Sequence, residues 1–511
     1  MLAGDAFEGR GNGLPGLHRA ADYIASFYDS LGVTPLGDDG SYFQNFFLSG
    51  RTRRSVTFVS SRIVGTDTTR VYTGTFSSTE VADFVVDSGI DNVVKGGVVF
   101  VGFGVRDAQR GVDHFGEVDL TGRWALMFAN VPYVVDGDTL INPGFNDRER
   151  ITEILFRRGG VGVLIIRHPD DVEFAEYAAD IQPIMDTPAE LALIDGAGRA
   201  RVDLPIVTVS PERAMQLIGG GPFADTNALY SSLAENPAGF SAQMTPSVLE
   251  ARPVVEREQI PARNIVGVFE GNDPDLRDEY VVISAHYDHM GIGAAAANGD
   301  RIYNGADDNG SGTVGLLALA QALHEARLAG YAPRRSIILL HVTAEEVGLL
   351  GSRYFSDNPT VPIEQIIANL NIDMIGRTDV YHDERGEENY VYIIGAEIIS
   401  SDMRARLDAA KMVQNSPISF SMRYNDLNDR NQFYRRSDHW NFGRLGIPFI
   451  FYFTGVHVDY HLPGDTPDKI RYDKYAHIVR LVYGTAVELA NTTARPVVDN
   501  QEFINRTRSG R

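Results

Sequence analysis

The chain has 511 residues, room for about three domains at roughly 150 residues each. Its 43 % hydrophobic and 22 % charged residues exclude a largely disordered or fibrous protein. A net charge of −22, with no basic run interleaved with aromatics, excludes nucleic acid as a partner, and the absence of cysteine leaves only His and carboxylate side chains to hold any metal.

In chain order, residues 17–31 place Ala20, Ala21, Ile24, Phe27, Tyr28 and Leu31 at helical spacing. From about Val93 the pattern changes to Gly-punctuated β runs, GGVVFVGFGV and RWALMFANV, followed by a helix over 147–158 and the run GGVGVLIIR. This module extends to about Met244 and includes an Ala/Pro/Asp-rich stretch at 175–200. The three prolines of 246–261 read as a return linker. From Asn264 strands (280–285, 336–343, 366–375, 390–394, 447–453) alternate with helices (313–329, 476–490). That alternation predicts an α/β fold with a largely parallel or mixed sheet, whose ligands gather at the carboxyl ends of the strands. No stretch reaches the roughly 18 apolar residues of a membrane span. The opening Met1-Leu2-Ala3-Gly4-Asp5 shows no signal peptide.

The polar clusters fall at those strand ends: His286-Tyr287-Asp288-His289, then GADDNGSG (305–312) before a helix, Glu345-Glu346, Asn371-Ile372-Asp373, and Tyr460-His461. No Lys or Arg lies among them, and carboxylates converging on one rim repel one another unless cations neutralise them. Bound divalent metal is the simple remedy. His and carboxylate donors suit zinc, cobalt or manganese, and an Asp between two ions can bridge them. Of two adjacent glutamates, one can ligate metal while the other faces a water as general base.

HYD, GADDNGSG, TAEEVGLLGS, NIDMIG, RSDHWNFGRLGIP and YHLPGDTPDKI, in this order, resemble the zinc aminopeptidases of the M28 family. The opening DAFEGRGNGLPGLHRAADYIASFY is similar to the N-terminal segment of bacterial members, and residues 93–245 resemble the protease-associated (PA) domain that many of them carry as an insertion. The resemblance implies a zinc exopeptidase fold, a mixed β-sheet flanked by helices, with an inserted mainly-β PA domain. Residues 1–92 would be the N-terminal part of the peptidase domain, 93–245 the insertion and 246–511 the catalytic part.

It further implies two Zn2+ per chain, with Co2+ or Mn2+ as alternatives. His286 and Asp373 would complete one site, Glu346 and His461 the other, and Asp308 would bridge them across a cis Asp308–Asn309 peptide. Glu345 would be the general base, Asp288 would orient His286, Tyr460 would donate to the tetrahedral oxyanion, and Arg436 would lie near the substrate. The implied substrates are peptides with a free N-terminus. The implied location is periplasmic or extracellular, a signal peptide being absent from this chain, with the cytoplasm left open. No oligomeric state is implied.

Three other readings share the scaffold. A carboxypeptidase or dipeptidase would need a basic pocket, for which Arg423, Arg430, Arg435 and Arg436 are available. A glutaminyl cyclase would lack the PA insertion, and a non-catalytic, receptor-like homologue would have lost ligands. All five ligand positions and Glu345 are present, so the leading expectation is a co-catalytic metallo-aminopeptidase. His341, inside an apolar strand, reads as a core histidine. His289 and His439, beside the ligand motifs, read equally as positioning or packing residues.

Overall fold

The computed structural model describes residues 1–508 apart from 136–137, 140, 142–146, 168–172, 183–184, 186–188, 195–204 and 297. Part of the Ala/Pro/Asp-rich stretch expected at 175–200 therefore lies outside the described residues. The chain divides into two compact units. The first holds Met1–Ser49, Leu191–Gly198 and Gln259–Arg511, and the second holds Gly50–Glu190 and Arg199–Glu258.

In the first unit, four parallel strands form the centre of a mixed sheet, in the order Phe449–Phe453, Ile366–Ile372, Tyr280–His286 and Ser336–Val342. Antiparallel neighbours close it on both sides. Tyr390–Ile394 pairs with Phe449–Phe453, and residues 265–269 pair with 337–341. Side chains alternate across a strand, and here both faces are covered, which is why these strands read as continuous apolar runs. Ile283, Leu339 and Leu370 pack with Ile24 and Tyr28 of the helix Pro15–Ser30, Leu316 of Gly312–Leu328 and Ile478 of Tyr472–Asn491. Val282, Ile338 and Leu340 face the other way, onto Phe355 of Leu350–Asp357 and Phe442 of His439–Gly443. The mixed sheet flanked by helices is the expected fold.

The second unit is built on the parallel strands Val94–Phe100, Trp124–Phe128, Gly162–Ile166 and Ile206–Val209, with Phe84–Ser88 antiparallel at one edge. It also carries the helices Phe174–Ile181, Pro211–Ile218 and Thr226–Glu235. It begins well before the boundary drawn at residue 93. Residues 55–64 pair antiparallel with 67–77, and Val56, Phe58 and Phe76 from this ribbon are buried with Phe84 and Val98.

The expected linker at 246–261 is instead part of one long strand, Gln243–Phe269. Residues 248–251 pair with 94–97, and Pro246 falls in the register shift between Met244 and Val248. A residue without an N–H is tolerated there, since no ladder bond is lost.

Candidate metal centre

The four parallel strands of the first unit end on one side of the sheet, and the polar residues follow directly. His286 is the last residue of its strand, Glu345 and Glu346 come three and four residues after Val342, Asp373 follows Ile372, and His461 lies in the loop beyond Phe453. The turn Ala306–Ser311 enters from the side and opens the helix Gly312–Leu328. Its shape is set by buried hydrogen bonds. Asn309 Nδ2 donates to Ile372 O (2.8 Å), Gly312 N donates to Asn309 Oδ1 (2.8 Å), and both Asp307 N and Asp308 N donate to Asp465 Oδ2 (2.9 and 3.0 Å). The Asp308–Asn309 peptide is cis. Left-handed backbone at Ala344, Met374 and His461 turns the neighbouring side chains into the site, the kind of local strain that gathers at functional loops.

Asp308 faces two imidazoles with different oxygens. Its Oδ1 lies 3.5 Å from His286 Nε2, and its Oδ2 lies 3.1 Å from His461 Nε2. Around the first imidazole, Asp373 Oδ1 is 3.4 Å from His286 Nε2; around the second, Glu346 Oε2 is 3.1 Å from His461 Nε2. His286 Nε2, Asp373 Oδ1 and His461 Nε2 are all buried without a hydrogen-bond partner. Buried polar atoms left in this state are costly. Ligand atoms about 2.0–2.1 Å from a tetrahedral ion stand roughly 3.3 Å from one another, and the four separations fit that spacing. The residues present therefore fit divalent metal, with the Asp308 carboxylate set between the two imidazoles. Asp307, its neighbour, points elsewhere and accepts from Gly376 N at 2.6 Å.

Electrostatics point the same way. Burial opposes charge on His286 and His461, yet the surrounding carboxylates carry His286 well above its ordinary range and His461 up to about 10. Burial pushes Glu345 well above the usual carboxylate range and also raises Asp308. In Glu346 burial works upward too, but the hydrogen bond to His289 and the nearby His461 imidazole outweigh it and hold the carboxyl low. The donors thus gather protons where cations are wanted.

Asp288, fully buried, accepts from Glu345 N (3.1 Å), Glu346 N (3.4 Å) and Asn12 Nδ2 (2.9 Å). His286 Nδ1 lies 3.2 Å from Asp288 O and 3.6 Å from its carboxylate. Asp288 thereby positions the two glutamates as well as the imidazole. Ser437 Oγ donates to Asp373 Oδ2 at 2.7 Å. The cleft above these groups has Asp308, Glu345, Glu346 and Asp373 on its floor. Phe433, Phe451, Phe453 and Val456 form an apolar wall. Tyr460, stacked on His461 at 3.8 Å, and Arg436 also line it, whereas Arg423, Arg430 and Arg435 do not.

A cation from the N-terminal segment also reaches the loops of the acidic rim. Arg10 is fully buried and donates to Tyr287 O, Leu2 O, Asn304 O and Gly305 O at 2.8–2.9 Å. It lies 277 residues upstream of Tyr287, and no local pattern pairs it with that loop. The flanking histidines also separate in role. His439 packs between Phe449 and Phe451, and His341 is a core residue bonded to Tyr28 Oη at 2.7 Å. His289 contacts Glu346.

Residues 264–486 match the model of Peptidase family M28. This segment is an M28 peptidase domain. The chain is 29 % identical over 244 residues to the uncharacterized protein YfbL of Escherichia coli (strain K12), covering 43 % of this chain and 68 % of that one. It is 29 % identical over 222 residues to a probable leucine aminopeptidase of Arthroderma otae, covering 42 % and 56 %. A probable glutamate carboxypeptidase of Arabidopsis thaliana is 33 % identical over 129 residues, or 25 % of this chain and 17 % of that one. Among solved structures, the aminopeptidase from Aneurinibacillus sp. strain AM-1 shares the fold at 18 % identity (TM-score 0.51, covering 96 % and 92 % of the two chains). So does BSAP, a zinc aminopeptidase from Bacillus subtilis, at 16 % (TM-score 0.52, 97 % and 95 %). Among the described residues no helix is long and apolar enough to cross a membrane.

Proposed function

We propose that the chain is a co-catalytic aminopeptidase holding two zinc ions, one between His286, Asp373 and Asp308 and the other between His461, Glu346 and Asp308. The observation that carries this reading is the shared aspartate, whose two oxygens face two imidazoles at ligand spacing. Zinc, the metal of the Bacillus subtilis aminopeptidase BSAP, would supply Lewis acidity toward the scissile carbonyl and lower the pKa of an attacking water.

The chain's own groups divide the rest. Glu345 takes a proton from the attacking water and returns it to the leaving amine, a role suited to a carboxylate whose proton affinity burial has raised. Tyr460, in the cleft wall, donates to the oxygen that becomes anionic. Glu345 and Asp373 accept the substrate's α-ammonium. The aromatic wall takes an apolar first side chain, and Arg436 meets the substrate downstream of the scissile bond. Asp288 acts by positioning. The second unit is the PA-like insertion of this reading, and an exported site of action follows from the same family likeness.

The carboxypeptidase alternative needs a basic pocket. Only Arg436 of the four candidate arginines lines the cleft, while Arg423 lies over the Tyr381 ring at 3.9 Å. The test compares leucyl and alanyl substrates with their N-acetyl counterparts. The free amines are cleaved with kcat/KM several orders of magnitude higher, because a site built to accept an ammonium rejects a group that lacks it. Equal cleavage of both forms overturns the aminopeptidase reading. Selective release of a C-terminal acidic residue moves it to the carboxypeptidase, and N-terminal cyclisation without hydrolysis moves it to the cyclase.

A further inference from the structure

His289 takes no part in the ligand set above, yet it is fully buried against that set. Its Nδ1 is 2.7 Å from Glu346 Oε1, while the other oxygen of the same carboxylate, Oε2, is 3.1 Å from His461 Nε2. The Glu346 carboxylate is thus divided between two imidazoles, one on each oxygen. Among the described residues three groups here could hold an ion, and the one at Asp308 and Glu346 contains His289 rather than His461. Spacing separates a ligand from a donor. Two ligands of one tetrahedral ion stand roughly 3.3 Å apart, and His461 Nε2 satisfies this toward both Asp308 and Glu346, at 3.1 Å each. His289 Nδ1 satisfies neither distance: 2.7 Å to Glu346 is a hydrogen bond, and 3.8 Å to Asp308 Oδ2 is too long for a co-ligand. A carboxylate only accepts, so Nδ1 carries the proton and donates.

The ring is held from several sides. Its backbone N–H donates to Arg10 O at 3.1 Å. The Arg10 guanidinium holds Tyr287 O on one loop and Asn304 O and Gly305 O on the other. Gly305, with φ of +55°, lies against the imidazole so closely that a Cβ there would come 2.4 Å from His289 Cδ2. The His461 ring meets it edge-on, with centroids 5.8 Å apart. Nδ1 of this enclosed imidazole meets Glu346, while Nε2 is buried without a hydrogen-bond partner.

We propose that His289 is a positioning residue of the second metal site: by binding Glu346 Oε1 it turns Glu346 into a single-oxygen donor aimed at the point that His461 and Asp308 also face. This rests on the two-metal reading. Without the bond the carboxylate is free to rotate about its own axis, and the second ion loses a preset ligand. The first set, His286 with Asp373, keeps its geometry. Hydrogen bonds that orient metal ligands are typically worth 10- to 100-fold in affinity, so the loss falls on one ion of the two.

The test titrates the chelator-treated full chain with Zn2+ by calorimetry, and with Co2+ by visible absorption, for wild type, His289→Leu and His289→Asn. Asn presents an amide N–H near the place of Nδ1; Leu fills space without one. Wild type takes up two ions. His289→Leu keeps one affinity and weakens the other 10- to 100-fold, with a changed Co2+ spectrum for that ion alone, and His289→Asn recovers most of the loss. Two wild-type affinities in His289→Leu overturn the proposal. A loss in His289→Asn equal to that in His289→Leu overturns it too, since packing then explains the effect. A wild-type chain that binds a single ion overturns the two-metal reading itself and the role of His289 with it. Should His289→Leu fail to fold, as read by circular dichroism, His289→Met takes its place with the same expected result.

Discussion

Replacing Glu345 with Gln tests the division of labour between the adjacent glutamates. Among the described residues no side chain donates a hydrogen bond to the Glu345 carboxylate, and the basic group beside it is His286, with Nε2 at 4.0 Å. The amide therefore breaks no bond that holds the site. Asp288 still accepts from the backbone N–H groups of both residues, and Glu346 keeps its contacts with His289 and His461. Metal content and thermal midpoint should stay at wild-type values. What disappears is a group able to take and return a proton, typically a loss of 10²- to 10⁴-fold. At about 1.4 kcal/mol per tenfold, that is roughly 3–6 kcal/mol of barrier. Glu346→Gln behaves differently, because it disturbs contacts at 2.7 and 3.1 Å and loses metal first. The assay measures kcat on leucine p-nitroanilide and metal per chain in the same sample. Near-normal turnover by a metal-replete Glu345→Gln enzyme, or metal loss in Glu345→Gln with retention in Glu346→Gln, would refute the assignment.

Asp308→Ala reduces each three-residue donor set to two, since Oδ1 and Oδ2 face different imidazoles. Calorimetry should show both Zn2+ affinities falling, and one site left at full strength would mean that Asp308 is no bridge. In the second unit, the His114 imidazole accepts from Phe103 N and donates to Pro237 O, both at 2.9 Å, and burial pushes it down to about 4. The unfolded chain takes up this proton below about pH 6.5 and the folded one only near 4. The contribution is therefore present above pH 6.5 and lost as the pH falls to 4, roughly 3 kcal/mol in all. Urea midpoints followed by the fluorescence of buried Trp124 should fall across that window, and His114→Gln should flatten the slope. An unchanged slope in the variant would assign the acid sensitivity elsewhere.

The sequence by itself determined the α/β architecture and which polar clusters follow its strands. Apolar runs such as 336–342 and helical repeats such as 17–31 are local signals, and a side chain that directly follows a buried parallel strand has little freedom over where it is delivered. His286, the Glu345-Glu346 pair and Asp373 stand out as candidates for that reason, and the family resemblance adds Asp308. Only the tertiary structure decided what lies behind them. Arg10 reaches Tyr287 across 277 residues, His289 reaches Glu346 across 57, and Ser437 reaches Asp373 across 64. These bonds exist because a closed fold brings distant loops to one strand end, and no periodicity records such a meeting. The same limit explains the misread segments. The prolines of 246–261 mark a linker when taken alone, but pairing of residues 248–251 with 94–97 draws the segment into a strand. Residues 50–77 join the second unit through a ribbon whose buried Val56, Phe58 and Phe76 acquire their partners only when that unit is assembled. Local chemistry names the donors; long-range hydrogen bonding and packing fix how each one is held.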